Sequence, residues 1–369
     1  MTGINDMLQR RNRMNGNEIG TSLNTRAYIY FLMEDYDRAI ADYKEMLAQG
    51  EDIPEGMEQQ GIYTVAQLSF VTEKYQDALD YMERYIQVAN NPGPDPLIFM
   101  GQVYYTMQNY PAATTMIERG IALAKERGLE LKENWWALLN FLYYEQENWP
   151  KVLEVLEILV RDYPKRQYWI QLAGILGQQN REKESLWTYE AAYAGGFLDQ
   201  QTDLTNFAGL LMQAEVPYRA AKVLDKGIKD GIIEKDSRNL QSLGQAWQLA
   251  QEVQKAIPVF EQAGKLSDDG KIYERLSQLY LDNDEYDKCV TAADNALDKG
   301  GLRGVQNVYI VKGMCLYNDD KLDTARSSFV SCRNESRRDE DESNRRICQQ
   351  WITYIDREKT RRAELEAAI

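Results

Sequence analysis

One pattern of small, aromatic and apolar residues recurs along almost the whole chain. A small residue and an aromatic residue three positions later are followed by a turn. An aromatic residue and a second small residue then open a further apolar segment. Ala27, Tyr30, Tyr36, Ala39 and Tyr43 form the first copy. Because apolar positions follow i, i+3, i+4 and i+7 spacing on both sides of the turn, each copy predicts two amphipathic helices.

The copies return at a nearly constant interval. The anchor positions of the second helices fall at 39, 78, 113, 152, 185, 220, 256, 289 and 325, with spacings of 33 to 39 residues. That range brackets the 34-residue period of the tetratricopeptide repeat (TPR). Since one helix pair cannot bury its apolar face alone, stacked pairs must form a continuous core. The sequence predicts an all-α, right-handed α-solenoid of about nine TPR helix pairs over residues 20–335.

The two ends predict helices outside the regular pairs, within a single solenoid of residues 1–369. Residues 4–15 indicate a partial first repeat, in which Ile4 to Met14 form a second helix without its partner. Residues 344–366 indicate a capping helix whose Trp351, Ile352 and Ile355 face the last repeat. The N-terminus has no basic segment followed by an apolar core, so no signal peptide is expected in this chain. We expect the chain to begin inside the native protein, and no stretch is apolar enough to span a bilayer.

Charge and composition exclude several classes of function. The formal net charge is −15, which disfavours binding to nucleic-acid phosphates. The chain has no histidine, which removes imidazole-based acid–base catalysis and imidazole metal ligands. Acidic runs such as Asp268-Asp269 lack the spacing of a calcium-binding loop. We therefore expect no catalytic residue, no metal site and no cofactor.

The first helices of the first four pairs are predicted to line a concave groove with aromatic side chains. The predicted groove residues are Tyr28, Phe31, Tyr63, Gln67, Phe70, Phe99, Gln102, Tyr105, Phe141 and Tyr144. One hypothesis is that these rings anchor an extended or helical peptide. The alternative is that they pack against neighbouring helices as part of the core.

Later first helices present amides instead of rings. These amides are Gln171, Gln178, Gln213, Gln241, Gln245 and Gln248. The positions of the Lys, Asn and Arg clamp of chaperone-binding TPRs hold Asn24/Tyr28, Tyr63/Gln67 and Ile98/Gln102. Recognition of the acidic C-terminal tail of a chaperone is therefore not expected.

Four cysteines lie in the last third of the chain, and none forms a CxxC pair. Cys332 occupies the last small position of the ninth repeat, and Cys348 lies where the next helix should press against it. A Cys332–Cys348 disulfide would then attach the cap in an oxidising compartment. The alternative is two small buried thiols. Cys289 falls at an anchor position and is expected to be simply packed.

Several longer runs extend the similarity beyond a generic repeat. They include Lys132-Glu133-Asn134-Trp135-Trp136, Tyr163-Pro164-Lys165, Gly196-Phe197-Leu198, Val216-Pro217-Tyr218-Arg219-Ala220-Ala221 and Leu266-Ser267-Asp268-Asp269-Gly270. With these runs the chain resembles the TPR proteins of gammaproteobacteria that are encoded beside the TonB–ExbB–ExbD energy-transduction genes. The resemblance covers most of the chain.

That resemblance implies a periplasmic, non-enzymatic scaffold or adaptor that supports TonB-dependent energy transduction or uptake. Its partners would be proteins or peptides, including TonB, ExbB or ExbD components. The first alternative is a generic TPR scaffold of an unrelated cytosolic complex in the cytoplasm. The second is an enzyme with a site in the amide-rich half, which the lack of histidine and of a clustered acid–base pair disfavours.

Overall fold

The computed structural model describes residues 2–367, which contain twenty α-helices, two short 3₁₀ helices and no strand. The predicted all-α solenoid of helix pairs is confirmed. The helices form two compact units, Met1–Arg181 and Glu182–Ile369. A single solenoid over 1–369 stays a prediction. Residues 1, 368 and 369 of that predicted span lie outside the described residues.

The first unit contains ten α-helices in the described residues. They are α1 (Thr2–Gln9), α2 (Gly16–Leu32), α3 (Tyr36–Leu47), α4 (Glu55–Val71), α5 (Tyr75–Val88), α6 (Asp95–Thr106), α7 (Tyr110–Glu126), α8 (Glu133–Glu145), α9 (Trp149–Asp162) and α10 (Arg166–Gln178). The 3₁₀ helices Arg11–Arg13 and Gly50–Asp52 follow α1 and α3. The segment predicted as a partial repeat, 4–15, thus holds most of α1 and one 3₁₀ turn.

The second unit also contains ten described α-helices. They are α11 (Glu182–Ala194), α12 (Gln201–Gln213), α13 (Pro217–Lys229), α14 (Ser237–Leu249), α15 (Val253–Leu266), α16 (Lys271–Asp282), α17 (Tyr286–Lys299), α18 (Val305–Asn318), α19 (Leu322–Arg338) and α20 (Glu342–Ala367). The helix predicted as a cap over 344–366 lies within α20.

Three-residue turns join the two helices of the pairs α2/α3, α4/α5, α6/α7 and α8/α9. The middle residue of each turn is left-handed without being glycine, as in Glu34 (φ 60°) and Glu73 (φ 59°). The next amide closes the turn by donating to a carbonyl five residues earlier, as from Asp35 N to Tyr30 O at 2.9 Å. Such a closed turn satisfies carbonyls at the end of the first helix and reverses the chain direction.

Small side chains at the anchor positions allow the paired helices to cross closely. All nine anchor positions are buried, with at most 4% of each residue exposed. Opposite Ala113, the first helix of the third pair carries Gly101, where an added Cβ would lie 2.5 Å from Ile117 Cδ1. The close approach of the helix backbones therefore depends on these small residues.

The long helix α20 covers the core end of the last pair, α18/α19. Phe329 on α19 is fully buried and stacks on Trp351 of α20, with ring centroids 5.1 Å apart. Ile352 and Ile355 are buried in the same cluster. The apolar stripe of α20 thus occupies the position that another helix pair would fill.

All four cysteines are paired, in two disulfides within the second unit. Cys332 on α19 is joined to Cys348 on α20, with Cα atoms 6.1 Å apart. Cys289 on α17 is joined to Cys315 on α18, with Cα atoms 6.3 Å apart. The expectation that Cys289 is simply packed was wrong. The repeat spacing marks a small residue at position 289, but the contact with Cys315 joins consecutive pairs.

Candidate functional site

The predicted groove residues lie on the first helices of the four pairs in the first unit. Tyr28 and Phe31 are on α2; Tyr63, Gln67 and Phe70 are on α4; Phe99, Gln102 and Tyr105 are on α6; Phe141 and Tyr144 are on α8. Within each helix these residues are three or four positions apart, so they share one face. We call the eight rings of this set the aromatic row.

Ring contacts connect the aromatic row from one first helix to the next. Phe70 on α4 meets Phe99 on α6 edge to face, with centroids 5.7 Å apart. Tyr105 on α6 meets Phe141 on α8 in the same way at 5.4 Å. Edge-to-face pairs at these distances are favourable. Ring contacts therefore join α4 to α6 through Phe99 and α6 to α8 through Tyr105.

A second set of rings supports the row from the start of each second helix. Tyr36, Tyr75, Tyr110 and Trp149 are the first residues of α3, α5, α7 and α9. Each contacts the row residue five positions earlier, with centroid distances of 6.2 Å, 5.9 Å, 6.4 Å and 5.4 Å. These four rings were not among the predicted groove residues. They could have been found from the sequence, because each forms an aromatic pair at positions i and i+5 across its turn.

The aromatic row combines exposed and half-buried side chains. Tyr105, Phe141 and Tyr144 are 40%, 37% and 45% exposed, whereas Tyr63 and Phe70 are half-buried. Burial raises the pKa of the Tyr63 hydroxyl, with smaller contributions from Asp95 and Tyr85. Packing thus orients the rings of the row, while a large part of the surface on α6 and α8 stays accessible to another molecule.

The row ends at a cavity of about 520 Å³ between α8, α9 and α10. We call it the amide cavity. Its lining includes Asn140, Phe141, Tyr144 and Glu145 from α8, Val152 and Leu156 from α9, and Gln167, Tyr168, Gln171, Gly174, Ile175 and Gln178 from α10. The predicted ring residues Phe141 and Tyr144 therefore meet the predicted amides Gln171 and Gln178 at one place.

Hydrogen bonds hold one wall of the amide cavity. Tyr168 donates its hydroxyl to Glu133 Oε1 at 2.5 Å, and Lys165 Nζ donates to Glu133 Oε2 at 2.6 Å. The hydrogen bond from Lys165, followed by that from Tyr168, lowers the pKa of the Glu133 carboxyl. Burial and this same carboxylate raise the pKa of the Tyr168 hydroxyl. The Glu133 carboxylate, which holds Tyr168 in this wall, therefore stays charged at neutral pH.

One polar atom in the cavity has no hydrogen-bond partner. Asn140 Oδ1 is buried and accepts no hydrogen bond in the described structure. A buried acceptor without a partner costs free energy, so a donor supplied by a ligand would be favoured there. Neither Asn140 nor Gln167 was a predicted site residue. Asn140 could have been found from its spacing, because it lies one turn before Tyr144 on the groove face of α8.

Comparisons with known proteins identify the repeat type. Residues 20–48, which span most of α2 and all of α3, match the family described as tetratricopeptide repeat. This segment is similar to a TPR repeat, and the helix pairs that follow it along the chain repeat the same order of elements. Searching the curated proteins returned no match.

Several solved structures are similar to this TPR chain at low identity. The MamA protein is 16% identical, with 48% of this chain and 95% of that chain covered and a TM-score of 0.40. The TPR2AB domain of yeast Sti1 in its pHSP90 complex is 11% identical, with 82% of this chain and 99% of that chain covered and a TM-score of 0.35. A TPR protein from Parabacteroides merdae is 12% identical, with 71% of this chain and 98% of that chain covered and a TM-score of 0.35.

The TPR fold is typically a scaffold for protein interactions rather than an enzyme. Among the described residues, no group of three or more Cys, Asp or Glu side chains could hold a metal ion. None of the described helices combines the length and apolar character needed to cross a bilayer.

The remaining predicted amides lie on first helices of the second unit. Gln213 is on α12, and Gln241, Gln245 and Gln248 are on α14. Gln248 Oε1 accepts a hydrogen bond from Arg275 Nε at 2.8 Å, so it supports a contact between α14 and α16. Gln241 and Gln245 are exposed.

Proposed function

We propose that this TPR chain is a non-enzymatic scaffold that binds a peptide segment of a partner protein along the aromatic row. The observation that carries this proposal is that the exposed ring of Tyr105 contacts Phe141, and that Phe141 and Tyr144 line the amide cavity. The rings would anchor apolar side chains of the peptide, because aromatic side chains provide large contact areas at low entropic cost. The cavity of about 520 Å³ has room for one apolar side chain at the end of the row.

The lining of the amide cavity favours a peptide main chain over a charged ligand. Asn140, Gln167, Gln171 and Gln178 offer amide donors and acceptors. Apart from the tyrosines, Glu145 is the one ionisable residue among those that line it. A carboxylate would find no cation in this lining, whereas main-chain N–H and C=O groups would find both kinds of partner.

We place the partner in the TonB–ExbB–ExbD system and the chain in the periplasm. The resemblance of the longer sequence runs supports the first part of this proposal. The two disulfides support the second, because disulfides persist mainly in oxidising compartments.

The localisation proposal predicts that the protein contains no free thiol in its native compartment. Cells producing the protein from its natural gene would be quenched in acid, treated with an alkylating reagent without reductant, and analysed by mass spectrometry. We expect no modification on any of the four cysteines, and full modification after denaturation and reduction. Four alkylated thiols before reduction, together with recovery in the cytosolic fraction, would contradict the periplasmic assignment and favour a cytosolic scaffold.

Photo-crosslinking tests the proposed partner and the proposed surface together. A photoreactive amino acid would replace Tyr105 in the aromatic row, and in a matched control it would replace Glu83, which is exposed on the second helix α5. We expect TonB, ExbB, ExbD or an outer-membrane transporter to be captured from position 105 and not from position 83. Capture of cytosolic proteins alone would refute the TonB assignment.

Alanine substitution separates a binding surface from a core. We expect Tyr105→Ala combined with Phe141→Ala to weaken binding of the captured partner by more than about tenfold, because two anchor rings are lost. We expect the melting temperature to fall much less than for a buried ring, since both side chains are well exposed. A large loss of stability would instead identify the row as part of the core.

A further inference from the structure

The second unit contains a groove whose charge is opposite to that of the chain. Arg219, Lys222, Lys226 and Lys229 lie on α13 at spacings of three, four and three residues. Such spacing places all four cations on one face of the helix. They line a cavity of about 610 Å³, which we call the basic groove. Asp225 and Asp230 also line it, so the four cations outnumber the carboxylates there in a chain of formal net charge −15.

Aromatic residues form the apolar part of the basic groove. Its lining includes Tyr193 from α11, Phe207 from α12 and Tyr218 from α13. Tyr193 and Phe207 are in ring contact at 5.4 Å, and Phe207 is almost fully buried, so they form a fixed floor. None of these residues belongs to the aromatic row.

The exposed ring of Tyr218 is held in place from behind. It contacts Trp247 edge to face at 5.6 Å, and Lys255 Nζ lies over both rings, 5.4 Å and 4.7 Å from their centroids. Cation–π contacts of this kind stabilise ring positions. Tyr218 is therefore a preorganised edge of the groove.

The cations are either unpaired or in weak, replaceable pairs. Lys222 has no ion-pair partner among the residues that the structure describes, and Lys226 pairs with Asp230 one turn away. Lys229 Nζ lies 2.6 Å from Asp225 Oδ2, and Arg219 Nη2 lies 2.5 Å from Glu190 Oε1. Solvent-exposed pairs contribute little to stability, so carboxylates from a partner can replace these intramolecular ones at low cost.

We infer that the basic groove is a docking surface for an acidic peptide segment of a partner protein that carries at least one large apolar side chain. The four cations extend over about 15 Å of helix, at intervals of about 4.5–6 Å. Glu or Asp side chains three or four residues apart on a helical segment match those intervals. The apolar side chain would rest on Tyr218 and on Tyr193, which lies over the buried Phe207.

The distribution of charge favours a peptide over a phosphate or a nucleic acid. A single phosphate is best held by cations that converge on one point, and these are spread along a line. A nucleic acid would in addition be repelled by the net negative charge of the chain. A short acidic segment interacts mainly with the local positive charge, because salt screens the more distant carboxylates.

Selection from a phage-displayed library of random peptides on the purified chain tests this inference. We expect selected peptides to be enriched in Glu and Asp and to contain Leu, Phe, Tyr or Trp. Their binding should weaken about tenfold in the double variant Lys222→Glu, Lys226→Glu. It should be lost near 1 M salt, where the Debye length is about 3 Å.

Controls separate the groove from the general surface and from phosphate binding. Lys265→Glu changes an exposed lysine of α15 in the same unit and should leave peptide binding unchanged. Equal losses in Lys265→Glu and in the double variant, or selected peptides without acidic enrichment, would overturn the inference. Displacement of the peptide by inorganic phosphate at similar concentration would assign the groove to phosphate instead. Carrying out the selection on the variant Tyr105→Ala, Phe141→Ala, which lacks two rings of the aromatic row, keeps its result separate from the proposed function.

Discussion

Replacing Phe329 by alanine should lower the free energy of unfolding of the second unit by about 3–5 kcal/mol. The side chain is fully buried between the last helix pair and α20, and its ring stacks on Trp351. It also fills the space beside Gly313, where an added Cβ would lie 2.7 Å from the Phe329 ring. Alanine would leave a cavity that these neighbours cannot fill, because the disulfide between Cys332 and Cys348 restrains α20.

Chemical denaturation followed by circular dichroism would measure this loss against two controls. Phe329→Leu keeps most of the buried volume and should cost clearly less than alanine. Tyr354→Ala removes a ring of α20 that also contacts Trp351 but is 52% exposed, and it should change stability little. If Phe329→Ala and Tyr354→Ala had equal effects, the described packing of the cap would be contradicted.

Breaking the ion pair between Arg26 and Asp42 should cause the second large loss of stability, in the first unit. Arg26 Nε and Nη2 each donate to an Asp42 carboxylate oxygen at 2.7 Å, and the two side chains are 21% and 7% exposed. The hydrogen bond to Asp42 raises the pKa of Arg26 further. Arg26→Met should therefore cost about 3 kcal/mol, because it leaves the Asp42 carboxylate buried without its partner.

A double variant distinguishes loss of a partner from loss of packing. Arg26→Met combined with Asp42→Leu removes both charges, and we expect it to recover most of the lost stability. Arg161→Met is the matched control, since Arg161 makes a similar two-bond contact with Asp162 but both side chains are well exposed. That control should leave the denaturation midpoint nearly unchanged. Equal losses in the single and double variants would show that packing, not charge, is responsible.

The helix pairs could be predicted from the sequence because each pair is a local structure. A three-residue turn and two amphipathic helices fit within one repeat period, so Ala39, Ala113 and Ala220 mark the helix crossings without reference to distant residues. The same periodicity placed Tyr105 and Phe141 on one face of their helices. It also placed Cys348 opposite Cys332, because the cap continues the period of the last repeat.

Contacts between consecutive pairs could not be read from that period. Three such contacts join helices of different pairs. They are the Cys289–Cys315 disulfide, the contact of Phe141 and Gln171 across the amide cavity, and the packing of Tyr193 beside α13. The gaps between such helices depend on the summed volumes of many packed side chains. Small differences in those gaps decide which rings of the aromatic row remain accessible.

The sequence by itself determined the repeat, the number and type of α-helices, and the shared helix face of the aromatic row. Only the tertiary structure decided which of those faces leave a cavity, which cysteines pair, and where four cations of α13 share a groove with three rings. The physical reason is the separation along the sequence between the residues that interact. Helix formation and pairing depend on residues within one period, whereas burial and charge clustering depend on side chains that meet only after the helices have stacked.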